Sequence, residues 1–285
     1  MRNYYDEIMN LIHNSPFIDF EYVRDKFKKM MRKFKPYMDS HFENEIKNSN
    51  DYDIFHQRFF ELYMSNYLLE NNIQFNSYDK GPDFILKNKT HIECVAPTAG
   101  KGQNKVDERP IFSSEKKNNC CNVPEEKIML RLSSAIFDKY KKYRKYIKSE
   151  VIDSGVNIIA LNDGLIPYSK IEDNIPRIIK VLFGIGYQVV NFDKPDKFQV
   201  SKRDYINKYP ETKINMNFFN NDKYKEISAI IYTSAEISDL ENKLGFDFKL
   251  IKNPYAKNMF DEKSININFE SVYEVKGGEI ISKNE

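Results

Sequence analysis

Two short apolar runs separated by three turn-forming residues constrain this chain more than any other feature. Phe84-Ile85-Leu86-Lys87 and His91-Ile92-Glu93-Cys94-Val95 flank Asn88-Lys89-Thr90. Runs of this length and composition, bounded by turn residues, predict a β-hairpin. Gly81-Pro82 turns the chain just before it and delivers Asp83; Pro97 closes it. Adjacent strands lie about 4.8 Å apart. Asp83 and Glu93 are therefore placed to share one divalent cation. Hard oxygen donors of this kind suit Mg²⁺, with Mn²⁺ as a substitute, and Mg²⁺ keeps waters and substrate phosphate oxygens in its shell.

The elements around the hairpin follow from periodicity. Apolar residues occupy most of the circumference of 53–70, among them Phe55, Phe59, Phe60, Leu62, Tyr63 and Leu68, which predicts a largely buried helix. Glu61 sits inside that run. A buried carboxylate must be paired or metal-bound, so a salt bridge to Arg58 and a metal-ligating role stand as alternatives. Pro124-Glu125-Glu126 opens a second helix, expected to reach Lys148. Arg131, Ala135 and Lys139 share one of its faces, and Lys142 and Arg144 extend its basic character. Tyr140, Tyr143 and Tyr146 recur every third residue and read as packing or as an exposed aromatic ridge.

Val156–Asn162 reads as a buried strand, as do 187–190, 227–233 and 246–251. Residues 171–183 read as a helix. The stretches 98–124 and 192–222 read as polar loops, and residues 277–285 as a flexible tail. Residues 1–50 read as a helical extension whose segment 21–33 carries the densest basic cluster of the chain. The expected organisation is thus an N-terminal helical extension (1–50), one α/β domain (51–276) and the tail.

Other chemistries find no support. His13, His41, His56 and His91 lack ligand spacing, and no Walker loop or dinucleotide glycine motif occurs. Cys94, Cys120 and Cys121 form no metal or redox motif and read as reduced thiols. With 44 basic and 42 acidic residues the net charge is only +2, so any nucleic-acid footprint must be local. No apolar run reaches the ~20 residues of a membrane span, and no signal-peptide core precedes the first helix. The expectation is a soluble, cytoplasmic protein with no membrane partner.

The order Glu61, Asp83, Glu93 along helix, turn and strand resembles the PD-(D/E)xK nuclease superfamily. The wider pattern is also similar to a set of bacterial proteins that read as nuclease-like. It comprises Arg58-Phe59-Phe60-Glu61-Leu62-Tyr63, Gly81-Pro82-Asp83-Phe84, Ile92–Gly100 and Asn253-Pro254-Tyr255-Ala256. The resemblance implies a restriction-endonuclease-like mixed central sheet flanked by helices. It also implies a Mg²⁺-dependent endonuclease acting on nucleic acid, with DNA the expected substrate, in a restriction or defence setting. Asp83 and Glu93 would hold the metal, Glu61 would be the accessory acid, and a homodimer is one assembly open to it. The motif lysine falls at Val95. Lys101, in the loop after Glu93, and Lys139, with Arg131 on the helix, are the candidate replacements. The helix pair is favoured because a helix positions a side chain more precisely than a Gly-flanked loop. Two alternatives stand beside this: a catalytically inactive nuclease fold that binds nucleic acid or a protein, and an unrelated α/β protein whose acids are structural.

Overall fold

The hairpin forms where its turn residues demand. In the computed structural model Phe84–Leu86 and Thr90–Val95 pair antiparallel, with Phe84 opposite Ile92 and Ile85 opposite His91. Lys89 adopts the left-handed conformation (φ 59°), and the Asn88 side chain accepts from the Thr90 amide at 3.2 Å. Asn tolerates and caps such turns through its short amide. Continuing the register sets Asp83 opposite Glu93.

The structure describes residues 4–15, 18–39, 41–48, 51–78, 80–108, 122–190, 198–261, 263, 265, 269–276 and 279–284. In chain order the helices are α1 (Tyr4–His13), α2 (Phe20–Phe34), α3 (Phe42–Asn48), α4 (Tyr52–Glu70), α5 (Glu125–Lys148) and α6 (Arg177–Phe183). The strands are β1 (Phe75–Asn76), β2 (Phe84–Leu86), β3 (Thr90–Val95), β4 (Val156–Asn162), β5 (Ile185–Val190), β6 (Phe198–Lys202), β7 (Tyr205–Lys208), β8 (Thr212–Asn215), β9 (Ala229–Thr233), β10 (Lys249–Lys252), β11 (Ser271–Lys276) and β12 (Glu279–Asn284). The chain is α/β, built on a mixed eight-stranded sheet of order β1-β2-β3-β4-β9-β10-β11-β12. Strands β3, β4 and β9 run parallel. β5–β6 and β7–β8 form two small antiparallel sheets.

Period-two alternation sorts the central strands between two cores. Ile92, Cys94, Ile158 and Ala160 join the helices α1–α4 on one face. Ile159 and Leu161 join α5 and α6 on the other. β3 therefore sends Cys94 toward α4 and Glu93 toward α5. The Asp51 side chain starts α4 by accepting from the Asp53 and Ile54 amides.

Residues 1–50 were expected as an extension. Their described helices share one apolar core with α4 and the sheet, and the Asn66 amide donates to the Met30 carbonyl at 3.2 Å. The expected helix 171–183 begins instead at Arg177, because Pro176 cannot donate within a helix interior and stands at its N-cap. The region 192–222 is not simply irregular. Residues 191–197 lie outside the described residues, but β6, β7 and β8 follow, with Ile206 buried. The expected flexible tail is corrected too: Glu279–Asn284 is a strand paired along its length with β11.

Candidate active site

Glu93 is wholly buried on the α5 side of the sheet. Its Oε2 accepts from Lys139 Nζ at 2.6 Å and from Lys142 Nζ at 2.9 Å. Oε1 lies 2.9 Å from both Lys142 Nζ and the Tyr146 hydroxyl. Positions 139, 142 and 146 recur at three and four residues, so α5 presents them on one face. A carboxylate taken out of water costs several kcal/mol unless it is paired, and here both its oxygens are. Burial and then the Glu93 charge raise the Tyr146 phenol above its ordinary range, so it stays protonated and able to donate. For Lys142, burial opposes the charge, but Glu93 more than offsets this and its ammonium is held above the usual value.

Asp83 is half-buried, and its Oδ2 accepts from the Cys94 amide at 2.7 Å. Among the described residues no Lys or Arg forms an ion pair with it. Burial, then the charges of Glu93 and Glu61, push its carboxyl up to about 7 against the pull of Lys139 and Lys142. Glu61 lies on the α4 side, where Arg58 Nη1 approaches Oε2 at 2.8 Å and Gln57 Nε2 donates to Oε1 at 2.9 Å. The Arg58–Glu61 salt bridge is thus formed, and Arg58 also holds Glu45 at 2.6 Å and Asp39 at 3.3 Å. Gln57 ties this helix to β3, since its Oε1 accepts from the Ala96 amide at 2.8 Å.

The structure separates the two candidate cation sources. Lys139 reaches Glu93. Arg131 does not: its Nε donates to the Thr98 carbonyl at 2.8 Å. Lys101 is exposed. Both lie near Asp53 at the start of α4, where they oppose the upward shift that burial imposes on that carboxyl. Lys142, Tyr146 and Gln57 join the site without having been singled out for it. The signal for the first two was their spacing from Lys139. His91 pairs with Asn157 at 2.9 Å rather than with the acids. Asn253 is buried and donates to the Tyr224 and Ile227 carbonyls, which makes it a clamp on the turn before β9. Burial holds the Cys94 thiol well above its usual range, so it is inert. Cys120 and Cys121 lie outside the described residues. In the α2 basic cluster, Arg24 pairs with Glu21 and Lys26 donates to the Asn242 carbonyl.

Asp83 and Glu61 open into a recess of about 880 Å³, bounded by the 34–42 segment, the 76–84 turn and the end of α5. The acids are hard oxygen donors, and among the described residues Asp83 forms no ion pair, although Lys139 and Lys142 act on it from a distance. Among the described residues, however, no three His, Cys, Asp or Glu side chains converge on one point. Two carboxylates opposite each other on the hairpin, Asp83 and Glu93, are the donors present for a hard cation of the Mg²⁺ kind, which takes the rest of its shell from water and phosphate, and both Glu93 oxygens already face ammonium groups. The set does not fit a closed protein cage. The chain matches no protein-family model, no curated protein and no solved structure.

Proposed function

We propose that this chain is a metal-dependent nuclease of the PD-(D/E)xK type, with Asp83 and Glu93 as metal ligands and Lys139 in the place of the motif lysine. The observation that carries the reading is Lys139 Nζ 2.6 Å from a buried Glu93 that stands across the hairpin from Asp83. The order α4–β1–β2–β3–α5–β4, with β1 to β4 adjacent and β4 parallel to β3, also supports it. On this reading, that order is the one expected of a restriction-endonuclease-like core.

In phosphodiester hydrolysis a water oxygen bonds to phosphorus, the P–O bond to the leaving group breaks, and that oxygen gains a proton. A bound Mg²⁺ or Mn²⁺ would lower the pKa of the attacking water and neutralise phosphate charge. The chain's own residues supply the rest. Glu93 fixes Lys139 and Lys142, so two ammonium groups stand preorganised where negative charge develops on phosphate oxygens. Tyr146 holds the Glu93 carboxylate from the solvent side. Arg58 neutralises Glu61 and Gln57 donates to it, leaving Asp83 as the acid that forms no ion pair among the described residues. Substitution of Val95 by lysine is unnecessary in this scheme, because α5 packs on the face that Val95 shares with Glu93 and reaches the same carboxylate from the helix.

One observation favours a second reading, a catalytically silent nuclease fold that binds nucleic acid: both oxygens of Glu93 already face ammonium groups. Cleavage decides between them. Supercoiled plasmid, labelled single-stranded DNA and RNA are incubated with Mg²⁺, Mn²⁺ or EDTA. Wild type cuts with either metal and not with EDTA, whereas Asp83→Asn and Glu93→Gln do not cut. Lys139→Ala loses about 10²–10³ in rate, the usual effect of removing one preorganised charge-stabilising donor. Folded wild type that binds but cuts nothing establishes the silent fold.

A further inference from the structure

Asp83 lines a concave recess. The recess of about 880 Å³ has Pro36, Tyr37 and Met38 along one wall and Lys142, Lys145 and Tyr146 along the other. Its volume lies within the range of sites that enclose one small ligand, roughly 300–1,000 Å³. A protein that reads a duplex inserts a helix or strand into a groove about 6–12 Å wide. Here Asp83 and Glu61 line a concavity rather than a projecting element. Glu93, with no solvent exposure, is out of reach of a phosphate that remains in a stacked helix.

The lining has the chemistry of a single-strand site. Tyr78 is 58% exposed at the mouth. Tyr37 is fixed by its ring contact with Phe75, centroids 4.5 Å apart. Lys145 lines both this recess and a neighbouring depression that Arg144 and Lys148 also line. Lys145 and Lys148 form no ion pair with another described residue. A basic track therefore leads out of the recess along the last turns of α5. Aromatic platforms beside a cationic track are how single strands are held without sequence preference.

We propose that the recess takes an unpaired nucleotide from a single strand or frayed end, its base against Tyr37 and Tyr78 and its outgoing phosphates on Lys145 and Lys148. This rests on the nuclease reading for the direction in which the scissile phosphate points. The test is fluorescence anisotropy in EDTA at one fixed salt concentration. The full chain is titrated into a labelled DNA strand of about 16 nucleotides, the upper end of a single-strand site size, and into the same strand annealed to its complement. The single strand binds at least about ten-fold tighter. Tyr78→Ala weakens it about ten-fold and Tyr78→Phe restores it, as for loss of one stacked base. Blunt duplex bound as tightly as the single strand overturns the proposal, as does Tyr78→Ala binding like wild type. Single-strand binding of this pattern without cleavage in Mg²⁺ or Mn²⁺ refutes the nuclease reading and leaves this one standing. Closed circular duplex cut as fast as the single strand refutes this one alone.

Discussion

Glu93 and its two lysines carry unequal weight. Lys139 has a side chain 16% exposed and Lys142 one 42% exposed, while Glu93 has none of its side chain exposed. Removing one partner of a buried pair strands the other charge, which costs about 3–5 kcal/mol when nothing replaces it. Lys142 still faces Glu93 after Lys139→Ala, so the expected loss is about 2 kcal/mol, against under about 1 kcal/mol for Lys142→Ala, whose charge water screens. Urea denaturation of the singles and the double reads this, and the double should exceed their sum. A buried acid away from the site contributes its own pH dependence. Asp163, with no solvent exposure, accepts from Ser234 at 2.6 Å and Tyr232 at 2.7 Å. Burial still pushes it up to about 7. Its folded value thus exceeds the unfolded one, near 4. Its contribution is fully present below pH 4 and is lost as pH rises through 7. Asp163→Asn should therefore raise Tm at pH 8 relative to pH 5 by a few degrees, about what 1 kcal/mol gives in a chain of this size. Equal shifts at both pH values would contradict this. The juxtaposition of Asp83 with Glu93 across the hairpin and of Lys139 with Glu93 was legible because residue type and spacing name it. A shared helix face favours Arg131 with Lys139 over Lys101, but a shared face does not say which turn lies over the carboxylate, and Arg131, two turns earlier, donates to the Thr98 carbonyl instead. Here residues 98–101 turn toward Asp53.

Elements were legible where periodicity was strong. The spans of α5 and β4 follow directly from Pro124 and from the run Val156–Asn162. The misreadings occurred where a local signal had two meanings. A glycine pair reads in sequence as a flexible linker or as a hairpin turn; residues 277–278 lie outside the described residues, but the strand that follows pairs with β11. The polar stretch around β7 and β8 hides strands because Ile206 and Ile214 are its sparse inward residues. The junction of β3 and β4 offers an element-scale test. A Cβ on Gly155 would lie 2.1 Å from the Lys89 carbonyl oxygen and 2.8 Å from the His91 ring. Backbone cannot yield as a flexible side chain does. Gly155→Ala should therefore cost about 2 kcal/mol or more and loosen the hairpin that carries Glu93. Amide hydrogen exchange at Thr90–Val95 would show faster exchange, and wild-type rates in the variant would refute the assignment.

At the scale of the whole molecule, the N-terminal helices complete the protein rather than decorate it. Val23, Phe27, Met30 and Phe34 are buried against α4 and the sheet, and the 34–42 segment forms one wall of the recess. A chain lacking residues 1–50 should expose the apolar surface of α4 and be recovered as an aggregated or unfolded species. A monomeric truncate with native circular dichroism would show the extension to be separable. No helix among the described residues is long and apolar enough to cross a membrane, in line with the absence of long apolar runs in the sequence. What the sequence could not convey was the recess, since its walls come from segments about a hundred residues apart. The central claim is that Asp83 and Glu93 share a divalent cation. Crystals grown with Mn²⁺ and a phosphorothioate oligonucleotide, recorded at a wavelength where manganese scatters anomalously, test it most directly. The account predicts an anomalous peak between the two carboxylates, in contact with a phosphate oxygen. Density showing Lys139 and Lys142 still closed on Glu93, with no peak beside Asp83, would contradict it.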